Sequence, residues 1–182
     1  FHISFEHVSF RYPGAEQESI RDLTISFEIG EKMAIVGPNG SGKTTFIKLL
    51  CRLYDVTEGC IKLNGIDIRK YDYQEYCALF AVVFQDFCIF AFPLGENIAA
   101  AGVVEEAAAE DALVRAGLGE RLAKLPQGLA TYVGRQFSDG GVSFSGGEKQ
   151  KMAIARAIYK DAPFVIMDEP TAALDPVSEC EV

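Results

Sequence analysis

Residues 37–44 read GPNGSGKT, which fits the pattern GxxxxGK[ST] of a phosphate-binding loop. An apolar run at residues 33–36 precedes the loop and predicts a buried strand, and the residues from Lys43 to about 53 predict a helix. The glycines let backbone N–H groups turn toward phosphate oxygens, and the N-terminus of the helix attracts the same anion. The stretch therefore predicts a strand, a loop and a helix that together hold the phosphates of a nucleotide.

Two side chains of this loop supply the chemistry that a nucleotide site needs. We expect Lys43 to neutralise the β and γ phosphates and the Thr44 hydroxyl to coordinate Mg²⁺. A glycine-rich turn without a ligand is the alternative, and it is disfavoured because Lys and Thr stand in register. The residues expected to contact the nucleotide here are Gly37, Asn39, Gly40, Ser41, Gly42, Lys43, Thr44 and Thr45.

A second apolar run, at residues 164–167, ends in two carboxylates. Ligands of open α/β sheets gather at the carboxyl ends of the strands, so Asp168 is expected in the Mg²⁺ shell. Glu169 is placed to orient or deprotonate a water that attacks the γ-phosphate. Alone, these residues would be interpreted as a solvated acidic strand end, but the phosphate loop upstream favours the catalytic interpretation.

Two kinds of strand pattern indicate a mixed sheet. Residues 2–10 and 23–29 alternate apolar and polar side chains, which predicts antiparallel strands with one buried face. Residues 33–36, 81–84 and 164–167 are continuously apolar, which predicts central parallel strands covered on both faces. The predicted fold class is α/β: a P-loop NTPase core of mixed parallel sheet with an N-terminal antiparallel β subdomain.

The helical signal is concentrated in one part of the chain. Helices are predicted at residues 104–116 and from 147 to about 159, and residues 93–160 carry almost no strand signal. We therefore expect an α-helical subdomain at residues 93–160, inserted into a β subdomain and ATP-binding core formed by residues 1–92 and 161–182.

Composition and charge narrow the class of protein. The net charge of -9 argues against nucleic acid as a partner, because phosphate binding over a duplex needs a surplus of Lys and Arg. The five cysteines are scattered and odd in number, which is typical of reduced thiols in a cytosolic protein. No run reaches the roughly 20 apolar residues that cross a bilayer. Since the chain begins at Phe1 rather than Met, we expect it to be a fragment of a longer polypeptide.

The sequence SGGE at residues 145–148, followed by KQK and by AIARA at residues 153–157, resembles the signature motif of the ATP-binding cassette (ABC) family. With it, nearly the whole chain resembles the nucleotide-binding domain of an ABC transporter. Ser145 can cap the following helix, and Gly146 and Gly147 leave its N-terminus open to phosphate. The resemblance implies that two such domains sandwich ATP head to tail, so that these three residues face the phosphate loop of a second nucleotide-binding domain.

Weaker motifs stand in the order that this family would give them. Tyr12 resembles the aromatic residue that stacks on adenine, although a Tyr at a strand end is more often packing alone. Gln85 resembles the Q-loop glutamine, which the family uses to contact Mg²⁺ and the attacking water and to connect to the membrane domain. Residues 172–175 resemble the D-loop, which crosses to the partner subunit.

The sequence also departs from the family pattern. Phe144 and Glu148 replace the more usual Leu and Gln beside the signature, and Arg135 stands where an acidic residue is common. The family's switch histidine has no counterpart, since the only histidines are His2 and His7. We therefore expect the isolated fragment to bind ATP and to hydrolyse it slowly or not at all.

The leading interpretation is an ABC exporter ATPase that powers export of an unidentified substrate at the cytoplasmic face of the cell membrane. A transmembrane domain is expected ahead of Phe1, and it would choose the substrate. One alternative is a soluble ABC-family ATPase of the translation or DNA-maintenance type. Others are a regulatory module that binds ATP without using it, disfavoured by intact Lys43, Asp168 and Glu169, and a P-loop kinase or GTPase, weakened by the lack of an NKxD segment.

Overall fold

The computed structural model describes residues 1–28, 30–100, 102–136 and 138–168 of the 182-residue chain. The chain divides into two compact units, Phe1–Phe80 and Ala81–Val182. In the part of the chain that is described, no helix is both long enough and apolar enough to cross a membrane.

The first unit is built on an antiparallel sheet. Its strands are β1 (His2–Phe10), β2 (Ile20–Glu28), β3 (Glu58–Leu63) and β4 (Ile66–Asp67). They are paired in the order β2-β1-β3-β4, and every neighbouring pair is antiparallel. Alternate side chains of β1, such as Ile3 and Phe5, are fully buried, as its period-two pattern requires. The predicted N-terminal antiparallel strands are therefore confirmed.

The helices described in the first unit are α1 (Lys43–Leu50) and α2 (Tyr73–Ala78), with a 3-10 turn at Ile68–Lys70. Helix α1 packs on the sheet through Phe46, whose ring stacks on Phe5 at a centroid distance of 4.6 Å. The helix ends earlier than predicted because Arg52 takes a left-handed backbone conformation, with φ 55°. Asp72 caps α2 by accepting hydrogen bonds from the backbone N–H groups of Gln74 and Glu75.

The predicted strand at residues 33–36 is wrong for the structure described. These residues have no regular secondary structure, and Met33, Ile35 and Val36 are exposed, Val36 at 91%. An apolar run favours burial, but a strand also needs a hydrogen-bonded neighbour. Among the described residues none pairs with this run, so the hydrophobic pattern alone was an insufficient guide.

The second unit is mainly helical. Its strands β5 (Phe80–Val83) and β6 (Phe164–Met167) pair with each other. Its helices, within the described residues, are α3 (Leu94–Ala99), α4 (Glu106–Arg115), α5 (Gly119–Ala123) and α6 (Gly146–Lys160), with a 3-10 turn at Gly128–Ala130. Apolar side chains of α3, α4, α6 and β5 form one buried core. The predicted strands at residues 81–84 and 164–167 and the two predicted helices of this region are confirmed.

Strand β6 departs from one expectation, which was that it would be covered on both faces. Val165 and Met167 are exposed, whereas Phe164 and Ile166 are half-buried. The alternation follows from the strand's period of two, because successive side chains point to opposite faces of the strand.

Candidate nucleotide site

The phosphate loop leads directly into helix α1, and its glycines have distinct roles. Gly42 occupies the N-cap position with φ 92°, and a Cβ placed there would lie 2.7 Å from the carbonyl oxygen of Ser19. Gly40 also has a positive φ, of 81°, but no heavy atom of the described residues lies within 4 Å of where its Cβ would be. Position 42 therefore requires glycine for the fold, and position 40 keeps one side of the loop open.

Lys43 folds back over the start of the loop. Its ammonium donates hydrogen bonds to the carbonyl oxygens of Gly37, at 2.9 Å, and Pro38, at 3.3 Å. The Ser41 N–H also donates to Pro38, at 3.1 Å, which closes the loop into a turn. The positive charge thus lies against the loop, where an anion could replace carbonyl oxygens as its partner.

The structure brings Tyr12 to the phosphate-loop helix. The Tyr12 hydroxyl lies 3.2 Å from the Oγ1 atom of Thr45, which is buried in the first turn of α1. The Tyr12 ring meets the rings of Phe10 and Tyr54 edge to face, at centroid distances of 4.9 and 5.2 Å, and the Lys48 ammonium lies 6.0 Å from its centroid. Two predicted nucleotide contacts, Tyr12 and Thr45, are therefore joined by a hydrogen bond.

In the second unit, Gln85 and Asp168 lie at the same end of two paired strands. The Asp168 N–H donates to the carbonyl of Val83 at 2.9 Å, and Gln85 follows Val83 by two residues. Asp168 is buried, at 5% exposure, whereas Gln85 is exposed. The structure thus places these two predicted metal ligands after the same end of two paired strands. Glu169 and the predicted D-loop at residues 172–175 lie outside the described residues.

The signature segment forms the capped N-terminus of helix α6. Ser145 Oγ accepts a hydrogen bond from the Glu148 N–H at 3.2 Å, and the Glu148 carboxylate accepts one from the Ser145 N–H at 2.7 Å. This reciprocal pair is a capping box. A Cβ on Gly146 would meet no heavy atom of the described residues within 4 Å, so this helix end is open to an approaching group.

Two polar residues, one on α3 and one on α6, were missed by sequence reasoning. Asn97 on α3 is almost fully buried, and Arg156 on α6 donates hydrogen bonds to it. Asn97 could have been noticed as a lone amide in the otherwise apolar end of a helical segment. Arg156 gave no signal, because an arginine between alanines on a helix is ordinarily a solvated side chain.

The donor set of the predicted metal site fits Mg²⁺. Its members, the Thr44 hydroxyl, the Gln85 amide oxygen and the Asp168 carboxylate, are all oxygen donors. In the described part of the chain there is no cluster of three His, Cys, Asp or Glu residues that could hold a metal. One carboxylate with neutral oxygens suits a cation that takes its remaining ligands from nucleotide phosphates and water, as Mg²⁺ does.

A phosphate loop on helix α1, a buried acidic strand end and a glycine-rich capped helix define a P-loop nucleotide-binding domain. The sequence model of the family described as ABC transporter matches residues 20–172. The chain belongs to the ABC transporter family.

Several transporters are similar to this chain over almost its whole length. The ATP-dependent lipid A-core flippase of Burkholderia orbicola (strain AU 1054) is 41% identical over 180 residues, which are 99% of this chain and 30% of the flippase. The mitochondrial iron-sulfur clusters transporter ATM1 of Candida glabrata is 41% identical over 181 residues, 98% of this chain and 24% of the transporter.

A solved structure, of a bacterial Atm1-family ABC exporter with ATP bound, is similar with a TM-score of 0.88. It is 36% identical, and the match covers 99% of this chain and 31% of that protein. The chain thus spans less than a third of the length of the relatives it matches. The predicted fold class and the predicted nucleotide-binding domain of the ABC transporter family are confirmed. The comparisons give no support to the soluble ABC ATPase.

Proposed function

We propose that this chain binds and hydrolyses ATP with Mg²⁺ and that the hydrolysis powers export of a substrate by the protein that contains it. The observation that carries the proposal is the similarity over 99% of the chain to an exporter with ATP bound. Export is a property of the whole protein, and the chain contributes its nucleotide site.

The first unit binds the adenine and the phosphates of the nucleotide. Tyr12 stacks on the adenine, with its ring held in place by Tyr54 and its hydroxyl held by Thr45. The loop at residues 37–44 surrounds the phosphates with backbone N–H groups, and Lys43 exchanges carbonyl oxygens for phosphate oxygens.

The hydrolytic step uses the acidic strand end. Thr44, Gln85 and Asp168 would hold Mg²⁺, which would offset the charge on the phosphates. Glu169 accepts a proton from the attacking water, and Gln85 helps to orient that water. The position of Asp168 supports a metal-binding role, since it directly follows strand β6 and ligands of open α/β sheets gather at the carboxyl ends of the strands.

A second nucleotide-binding domain completes the site. Its residues equivalent to Ser145, Gly146 and Gly147 cover the γ-phosphate, and the open end of α6 provides N–H groups for this contact. The remaining predictions belong to the same proposal: a transmembrane domain ahead of Phe1, a position on the cytoplasmic face of the membrane, and a helical subdomain at residues 93–160 inserted between residues 1–92 and 161–182.

The proposal is tested in the whole protein with two substitutions. Lys43→Ala should weaken ATP binding about 10- to 100-fold, because a hydrogen bond to a charged group contributes about 1.5–3 kcal/mol. Glu169→Gln should keep ATP binding and lower hydrolysis by about 10²- to 10⁴-fold, which is the usual contribution of a general base. Equilibrium binding of ATP and phosphate release measure the two effects.

The matched controls are Lys70→Ala and Glu16→Gln, which change exposed residues of the first unit and should affect neither measurement. A Glu169→Gln protein that hydrolyses ATP at the wild-type rate would contradict the catalytic assignment. A wild-type protein that binds ATP and never hydrolyses it would favour the regulatory module instead.

A further inference from the structure

The segment that carries Gln85, residues 84–93, is bonded near its C-terminal end by one buried side chain, that of Asn97. Asn97 is 1% exposed. Its Oδ1 atom accepts a hydrogen bond from the Phe90 N–H at 2.9 Å, and its Nδ2 atom donates to the carbonyls of Phe90, Phe92 and Pro93 at 2.9, 3.1 and 3.3 Å. One amide thus bonds to backbone groups of three residues, and the Phe92 carbonyl also accepts a hydrogen bond from the Val133 N–H at 3.0 Å.

Arg156 connects this arrangement to helix α6. Its Nε atom donates to the Asn97 carbonyl at 2.6 Å, and its two terminal nitrogens donate to Asn97 Oδ1 at 3.0 Å and to the Cys88 carbonyl at 2.6 Å. Its guanidinium carbon lies 5.9 Å from the centroid of the Phe90 ring. Burial lowers the pKa of the Arg156 guanidinium from its ordinary value, yet an arginine keeps its charge in proteins.

The geometry of these contacts suits arginine and not lysine. The planar guanidinium reaches three acceptors in fixed directions, whereas a lysine ammonium is a compact point charge on a flexible stem. The three acceptors belong to Asn97 and Cys88, which are separated from Arg156 by 59 and 68 positions in the sequence. The interaction therefore fixes chain segments that lie far apart in the sequence.

Gln85 consequently lies between two anchors. On one side, Val83 accepts a hydrogen bond from the Asp168 N–H at 2.9 Å. On the other side, Cys88 is held by Arg156 at 2.6 Å. The stretch between these anchors is only four residues long, so a shift of the Cys88 anchor changes where Gln85 stands relative to Asp168.

We propose that Asn97 and Arg156 are positioning residues that hold Gln85 beside Asp168 and tie the segment at residues 84–93 to the helix that begins at the signature. This inference rests on the proposed function, because it concerns the Mg²⁺-dependent use of ATP. Residues that orient a metal ligand from behind change metal affinity or activity by about 10- to 100-fold when they are replaced.

The test substitution is Arg156→Lys in the whole protein, with Arg52→Lys as the matched control. Arg52 likewise donates to two backbone carbonyls, those of Tyr71 and Arg69, at 3.0 and 3.3 Å, and its guanidinium lies 5.5 Å from the Tyr73 ring centroid. The control therefore removes the same kind of interaction at a place where no ligand role is proposed.

The first readout is independent of activity. Hydrogen exchange of residues 84–93 should become about tenfold faster in Arg156→Lys, because hydrogen bonds that hold this segment are lost, while exchange in strand β1 stays unchanged. The second readout is the gain in ATP affinity on adding Mg²⁺ in place of EDTA. Arg156→Lys and Gln85→Ala should both reduce this gain, Arg52→Lys should not, and affinity in EDTA should remain that of the wild type.

A double-mutant cycle then asks whether Arg156 acts through Gln85. Arg156→Lys should lower the turnover number by about tenfold in the wild-type background and should cause little further loss in a Gln85→Ala background. Equal losses in the two backgrounds would overturn the inference, as would hydrogen exchange of residues 84–93 that is unchanged by Arg156→Lys.

A second variant covers the case in which Arg156→Lys does not fold. Asn97→Asp keeps the Oδ1 acceptor and removes the Nδ2 donor, and it should reduce the Mg²⁺ gain in the same direction. An unchanged Mg²⁺ gain in Asn97→Asp would overturn the inference. Failure of the proposed function gives a different result, since the wild type would then hydrolyse no ATP while the hydrogen-exchange response to Arg156→Lys persisted.

Discussion

Replacing Gly42 by alanine separates what the phosphate loop needs for folding from what it needs for its ligand. A Cβ at position 42 would lie 2.7 Å from the Ser19 carbonyl oxygen, at a φ of +92°. The left-handed conformation costs alanine about 1–2 kcal/mol, and displacing a backbone oxygen adds about 1–3 kcal/mol. The oxygen cannot move alone, because the Ser19 N–H donates to Phe10 of β1 at 2.8 Å. Gly42→Ala should therefore destabilise the first unit by about 2–5 kcal/mol.

The matched control is Gly40→Ala in the same loop. Gly40 has a φ of +81°, but no described heavy atom lies within 4 Å of its Cβ position. The control should therefore cost only the conformational strain of about 1–2 kcal/mol. It should still weaken ATP binding, since the new methyl group occupies the open side of the loop. Urea unfolding, monitored by hydrogen exchange in β1, measures the stability of the first unit. Equilibrium titration measures the affinity for ATP. Equal destabilisation by the two substitutions would refute the close approach to Ser19 as the reason for glycine at position 42.

Two further substitutions test local contacts. Ser145→Ala should destabilise α6 by about 1 kcal/mol through loss of its N-cap, while Ser145→Asp should retain the stability. Hydrogen exchange of α6 measures the change, and an equal loss in both variants would contradict the capping role. The buried Tyr76 hydroxyl donates a hydrogen bond to the Leu50 carbonyl at 2.6 Å. Tyr76→Phe removes this donor and should lower the free energy of unfolding by about 1–3 kcal/mol. Denaturant unfolding measures the change, and an unchanged stability would show that water replaces the hydroxyl.

Much of the fold could be predicted because it is encoded locally. Strand β1 follows the alternation of residues 2–10, and strand β6 follows the apolar run at residues 164–167. Helix α6 begins at Gly146, one residue before its predicted start, because Ser145 and Glu148 form a capping box that is readable as a sequence pattern. These features depend on residues within a few positions of each other.

The features that escaped prediction depend on distant residues. The apolar run at residues 33–36 predicted a strand, but whether it becomes one is decided by a neighbour elsewhere in the chain. The contact between Asn97 and Arg156 spans 59 positions, and no periodicity records such a pair. The site followed the same division: the phosphate loop was predictable as a motif, whereas the anchors of the segment that carries Gln85 were not.

The signature helix shows how a departure from the family pattern is accommodated by its surroundings. Glu148 places a negative charge in the first turn of α6, at the helix end where a phosphate is proposed to approach. Such a charge would repel the phosphate, but the Arg121 Nε atom lies 3.0 Å from Glu148 Oε1 as an ion pair, although the two are not aligned for a hydrogen bond. The Arg121 guanidinium also lies 5.2 Å from the ring centroid of Phe144, the second residue beside the signature that departs from the family pattern, and it donates to the Ser143 carbonyl.

Glu148 and Phe144 therefore both contact Arg121. These contacts explain how the two residues can be accommodated while the N-terminus of α6 stays open. The Glu148 carboxylate accepts a hydrogen bond from the Ser145 N–H and forms an ion pair with Arg121. The positive charge of Arg121 therefore offsets the negative charge of Glu148 at this end of the helix. Ser145 Oγ accepts the Glu148 N–H, and a hydroxyl that accepts one hydrogen bond can still donate another. Capping of α6 and the proposed binding of a phosphate at its N-terminus would thus use different parts of the same side chain and would not compete.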